Sequence, residues 1–140
     1  AYNDGVADVL ALTTKPKALR PRIMVAEVKR TRADLLADLR KKKMLGYERG
    51  STHCLLAATA EALRLTTRSV DEVLAELTKL GLPKGWGVWV LPSTKWHRPY
   101  SIRSAKRLRK FDHHRASTLL AQIAASFSHR ALARKSPVDA

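Results

Sequence analysis

The sequence predicts an α/β fold, a mixed central β-sheet flanked by helices, with a C-terminal amphipathic helix. Two observations predict it. Short apolar runs bounded by glycine and proline alternate along the chain with segments in which leucine recurs at helical spacing. The resulting order of strand, strand, helix, strand, helix, strand, strand, helix is that of a mixed sheet covered by helices. A length of 140 residues suits one domain spanning residues 1–140. Its core is expected over about residues 5–92, with a basic strand and the last helix at 95–135.

Gly5 to Thr14, GVADVLALTT, reads as a buried strand interrupted by one acid, Asp8. Lys15 to Arg22 holds two prolines and four cations and reads as a loop. Ile23 to Lys29, IMVAEVK, is the second strand, and the short loop predicts an antiparallel pair. Arg32 to Tyr47 switches to helical spacing, with Leu35, Leu36 and Leu39 on one stripe and Asp38 four before Lys42 as a solvent pair. Thr52 to Thr59, THCLLAAT, is a third strand, too short and too apolar for a surface helix. Ser69-Val70-Asp71-Glu72 is a capping box opening a helix whose apolar face is Val73, Leu74, Leu77 and Leu80, and which Gly81 and Pro83 stop. Trp86 to Leu91 is a strand, and Pro99 to Ala105 a fifth at the edge. Asp112 to Arg134 is the closing helix, its stripe running through Ala116, Leu119, Leu120, Ile123, Phe127 and Ala131.

Charge points to the partner. Twenty-seven Lys and Arg against 12 Asp and Glu give a formal charge of +15, a field that attracts polyanions. Nucleic acid is the expected partner. No apolar run approaches the roughly 18 to 20 residues of a membrane-spanning helix, so no membrane partner is expected. With no signal-peptide pattern and a single cysteine, Cys54, a cytoplasmic, nucleoid-associated protein is expected.

Within the second strand, Glu27 and Lys29 project from one face while Met24, Ala26 and Val28 project from the other. Asp8 lies in the neighbouring strand. Burying such charges uncompensated costs several kcal/mol each. A divalent metal compensates two carboxylates well. Mg2+ prefers oxygen ligands and keeps positions for water and phosphate, which makes Asp8, Glu27 and the Val28 carbonyl candidate ligands. Lys29 beside them has three possible tasks: orienting the attacking water, accepting its proton if burial lowers its pKa, or stabilising transition-state charge. A strand-end ion pair between Glu27 and Lys29 is the plainer reading of the same triplet.

Asp8, Glu27-Val28-Lys29 and the stretch RADLLADLRKKKMLGYERGSTHCLLAA together resemble the core of the PD-(D/E)xK nuclease superfamily, and most of all its RecB-like and MmcB-like DNA repair branch. The resemblance covers about residues 5–60 and includes Asp34, Asp38, Lys43 and Tyr47. It implies a restriction endonuclease-like core in which Asp8 and Glu27 bind Mg2+ or Mn2+ and Lys29 assists the water. It departs from the family in having Ala7 before the acid, and in having only seven residues ahead of Asp8, where the family core usually begins with a helix. Lys43 and Tyr47, four apart, share the helix face of Leu36 and Leu39, from which the lysine reaches either the scissile phosphate or, by snorkelling, water.

Lys95 to Arg115 concentrates Lys95, Arg98, Arg103, Lys106, Arg107, Arg109, Lys110 and Arg115 against Asp112 alone, a pattern suited to phosphate contacts. Arg30 and Arg32, and the loop cations Lys15, Lys17, Arg20 and Arg22, extend it. Trp86 and Trp89 are expected in the core, and Trp96 in a polar loop is the candidate for base stacking. His53, His97, His113 and His114 lack zinc-ligand spacing, and Cys54 reads as core packing. The function expected is a metal-dependent DNA endonuclease, structure-selective toward branched or flapped DNA, acting in repair, recombination or phage DNA processing. Resolvases of the superfamily are often dimers, so a homodimer is admitted by analogy. The alternatives are a basic nucleic-acid-binding module with the same fold and no chemistry, and an RNA-binding protein of ribosomal type.

Overall fold

The computed structural model describes residues 9–13, 22–41, 48, 51–94, 97–118, 121 and 124–125, with only the backbone of 9–13. The elements are β1 (Val9–Thr13), β2 (Arg22–Lys29), α1 (Arg32–Arg40), β3 (His53–Thr59), α2 (Ala60–Leu63), α3 (Val70–Leu80), β4 (Gly87–Leu91) and β5 (Tyr100–Arg103). The five strands form one mixed sheet in the order β1-β2-β3-β4-β5. β1 runs antiparallel to β2, with Val9 opposite Ala26. β2, β3 and β4 are mutually parallel, and β5 returns antiparallel at the edge with a bulge at Val88/Trp89. The predicted mixed sheet and antiparallel first pair are therefore observed.

β3 has parallel neighbours on both sides, and its residues 53–58 are all buried. Strands buried on both faces read as continuous apolar runs, which is why THCLLAAT carries no alternation. On one face Val25, Cys54, Leu56, Ala58, Val88 and Val90 pack beneath Leu35 and Leu39 of α1 and Val73 and Leu77 of α3. The helices follow from local chemistry. Thr31 caps α1 by accepting the Asp34 N–H. Ser69 Oγ accepts the Glu72 N–H at 3.2 Å while facing its carboxylate, and Gly81 ends α3 in the left-handed region.

The single turn α2 was not foreseen. Thr59, the last residue of β3, caps it by accepting the Ala62 N–H, and Arg64 closes it at φ 58°.

Two expectations on side-chain placement are corrected. Trp86 is fully buried and its indole N–H donates to Glu48 Oε1 at 2.7 Å, but Trp89 is 38% exposed. Its register partners Ala57 and Ser101 put it on the face away from α1 and α3. Asp38 does not face solvent either; it is turned inward. Of the closing helix, residues 113–118 are helical and Asp112 Oδ1 accepts the His114 and Arg115 N–H groups at its start; Leu119, Leu120, Ile123 and the stretch from 126 onward, with Phe127 and Ala131, lie outside the described residues. No helix among the described residues is long and apolar enough to cross a membrane.

Replacing Ser69 by Ala should destabilise the protein by about 1 kcal/mol, the usual value of such a cap. Chemical denaturation with an unchanged m-value is the measurement.

Candidate active site

Because β2, β3 and β4 are parallel, their carboxyl ends, Lys29, Thr59 and Leu91, lie at one end of the sheet. Ligands of open α/β sheets bind outside such ends. The starts of α1 and α2 border the same end. Thr59 joins them, since its hydroxyl donates to the Arg30 carbonyl at 2.9 Å while capping α2.

Glu27 and Lys29 share the helix-covered face, as the strand alternation requires. Glu27 is 2% exposed and lies beside Leu56; Lys29 pairs with Ala58, whose small side chain leaves room for the lysine stem. Lys29 Nζ is 2.8 Å from Glu27 Oε1 and bonds also to Asp38 of α1; the lysine and aspartate side chains are 11% and 14% exposed. Burial on its own would lower the Lys29 pKa, but the hydrogen bonds to Asp38 and Glu27, and their charges, outweigh it and hold the ammonium above its ordinary value. Of the three tasks open to Lys29, this environment favours those that keep the ammonium charged, orienting the water or stabilising transition-state charge. Asp38 was legible as an inward residue from its place three after Leu35 and one before Leu39.

Asp8, Lys43 and Tyr47 lie outside the described residues. Val28 points away from Glu27 and stands opposite Ala57 in the β2–β3 ladder. Among the described residues no three His, Cys, Asp or Glu side chains converge as a metal-binding group.

A second ion network braces the helices. Arg32 bonds to Glu76 of α3 and donates to the Ala62 carbonyl at 3.2 Å, and Arg68 bonds to the other oxygen of Glu76. Burial works against ionisation of Glu76, but these two guanidiniums hold its pKa below the usual carboxylate value. Arg32, expected to contact nucleic acid, is thus engaged inside the fold.

The remaining expected basic residues do not form one strip. Arg30 and Arg98 are exposed, the first after β2 and the second in the connection from β4 to β5, both at the carboxyl end. Residues 104–108 cross the opposite end of the sheet. There the Leu108 N–H donates to the Thr52 carbonyl and the Lys106 N–H to the Gly85 carbonyl, each at 2.8 Å. Gly87 permits this crossing, because a Cβ there would lie 2.7 Å from the Ala105 nitrogen. Lys106 and Lys110 are exposed, while Arg107 is half-buried. Arg103 donates from Nε to the Trp86 carbonyl, and Arg109 lies 3.8 Å from Glu48. From Ile23, beside Thr52, to Lys29 is six residue steps of strand, about 20 Å. Lys95 and Trp96 lie outside the described residues.

Two further groups are settled by their surroundings. Burial pushes the Cys54 thiol up to about 11, although Ser51 Oγ at 2.9 Å pulls the other way. It is a core thiol, as its apolar strand predicts. His53 contacts Thr52 Oγ1 through Nδ1 at 2.8 Å, and burial, then the charges of Arg107 and Arg22, hold it below its usual value. No protein-family model, curated protein or solved structure matches the chain.

The unfolded chain takes up a proton at His53 near pH 6.5, whereas the folded chain takes it up only at lower pH. Its contribution to stability is complete above that value and is lost as pH falls toward the folded pKa. Denaturant titrations between pH 7.5 and 5 should show this decline, and His53→Gln should flatten it.

Proposed function

We propose that the chain is a metal-dependent DNA endonuclease of the PD-(D/E)xK type, hydrolysing phosphodiester bonds in repair, recombination or phage DNA processing. The observation that carries the proposal is the buried Glu27–Lys29 pair at the carboxyl end of a parallel strand, with Asp38 closing it from α1. Carboxylate oxygens suit a hard cation. Strand, Glu-x-Lys strand, helix and apolar parallel strand follow one another as the restriction endonuclease-like core requires.

In this mechanism Glu27, with Asp8 and the Val28 carbonyl, would hold Mg2+ or Mn2+. When bound, the ion lowers the pKa of a coordinated water and neutralises phosphate charge. Lys29, as an ammonium, would donate hydrogen bonds to the water or the phosphate and stabilise the charge that develops in the transition state. Arg30 and Arg98 lie at the same end of the sheet to neutralise flanking phosphates; Lys106 and Lys110 would engage the duplex farther along. A nucleic-acid-binding module without chemistry is favoured by one observation, the engagement of Lys29 by two carboxylates at once.

Incubation with flap, branched and linear DNA in Mg2+ or Mn2+ separates the readings. Glu27→Ala and Lys29→Ala should each lower cleavage by about 10²-fold or more while binding survives. Binding with no metal-dependent cleavage on any substrate would leave the module, and preference for structured RNA at matched salt would point to an RNA-binding protein. Binding should weaken steeply with salt, and Lys106→Ala and Lys110→Ala should each reduce the slope of log K against log salt by about one.

A further inference from the structure

We infer that Asp38 is a positioning residue, acting through Lys29 to fix where the ammonium stands relative to the scissile phosphate. The inference rests on the nuclease reading and deepens it. A lysine side chain has four rotatable bonds, and one acceptor on its own strand leaves its end free to swing about that contact. Glu27, two residues away on β2, is such an acceptor, with Oε1 2.8 Å from Nζ. Asp38 bonds to the same nitrogen from a different element, so two independently anchored carboxylates define one point for it. The ammonium is then set by how α1 sits on the sheet.

That seating is firm. Asp38 lies between Leu35 and Leu39, which are buried in the main core against β2, β3 and α3. The start of α1 is tied down by the Thr31 cap, by the Arg32 bond to the Ala62 carbonyl and by Arg32 with Glu76 of α3. Lys29 pairs with both carboxylates, and an ammonium has three donors to share between them and an incoming group. Asp38 need not touch DNA or metal. Its contribution is geometric, and misplacement of a reacting group by about 1 Å can cost about 10²-fold in rate.

The test compares wild type, Asp38→Ala, Asp38→Asn, Lys29→Ala and the double variant Lys29→Ala/Asp38→Ala in steady-state cleavage of DNA, with Mg2+ titrated for each. Thermal unfolding establishes that each variant is folded. Asp38→Ala should lower kcat by about 10²-fold with KM for DNA and the half-saturating Mg2+ concentration unchanged. Asp38→Asn, which keeps an oxygen acceptor, should recover much of that loss. The double variant should be no slower than Lys29→Ala alone, because a residue acting only through the ammonium has nothing further to lose.

Losses that multiply in the double variant, a normal kcat for folded Asp38→Ala, or a raised Mg2+ requirement would each overturn the inference; the last would make Asp38 a ligand. Should Asp38→Ala fail to fold, the cycle is run with Asp38→Asn, for which a smaller loss and the same non-additivity are expected. Wild-type protein inactive on every DNA overturns the nuclease reading and this inference with it. Active wild type with a kinetically normal Asp38 variant overturns this inference alone.

Discussion

A carboxylate buried to the extent of Glu27 cannot stand in a sheet uncompensated, and the arrangement around it follows from that constraint. Desolvating such a group costs several kcal/mol, a sizeable part of the stability of a domain this size. The compensating ammonium comes from two residues along the same strand, where alternation returns it to the same face. Its second acceptor comes from the helix that the strand leads into. The charged cluster is therefore also a joint between β2 and α1. Removing the lysine would leave two carboxylates facing each other under the helix.

Around that joint the packing is apolar and continuous. β3 supplies the centre, buried on both faces, and its Leu56 and Ala58 lie beside Glu27 and Lys29 in the register. The charges are thus flanked by an apolar wall near the carboxyl end of the sheet. Interactions in such a setting are stronger than at a free surface.

Much of this was legible in the sequence, and the failures have distinct causes. The strands, the capping box at Ser69 and the stop at Gly81 are local features, and local rules found them. Glu27 and Lys29 on one face followed from strand periodicity alone. Asp38 was misread because its spacing from Lys42 suggested a solvent pair, although its spacing from Leu35 put it inside; two periodic signals conflicted, and tertiary packing decided. Trp89 was misplaced because an apolar strand beside an edge need not be covered on both faces. The division of the basic residues between two ends of the sheet depends on the path of residues 104–108 across Thr52 and Gly85, which no pattern along the chain encodes. Arg32 reads as a surface cation along the chain because its partner, Glu76, lies in a helix far along it.

The hydroxyl of Thr59 spans the carboxyl end of β3 and the turn leaving β2. One side chain consequently joins these two turns. Turns already joined in this way have less conformational entropy to lose when a molecule arrives at this end of the sheet. Methyl-bearing threonine suits this post better than serine would, since a β-branched side chain has few rotamers to lose.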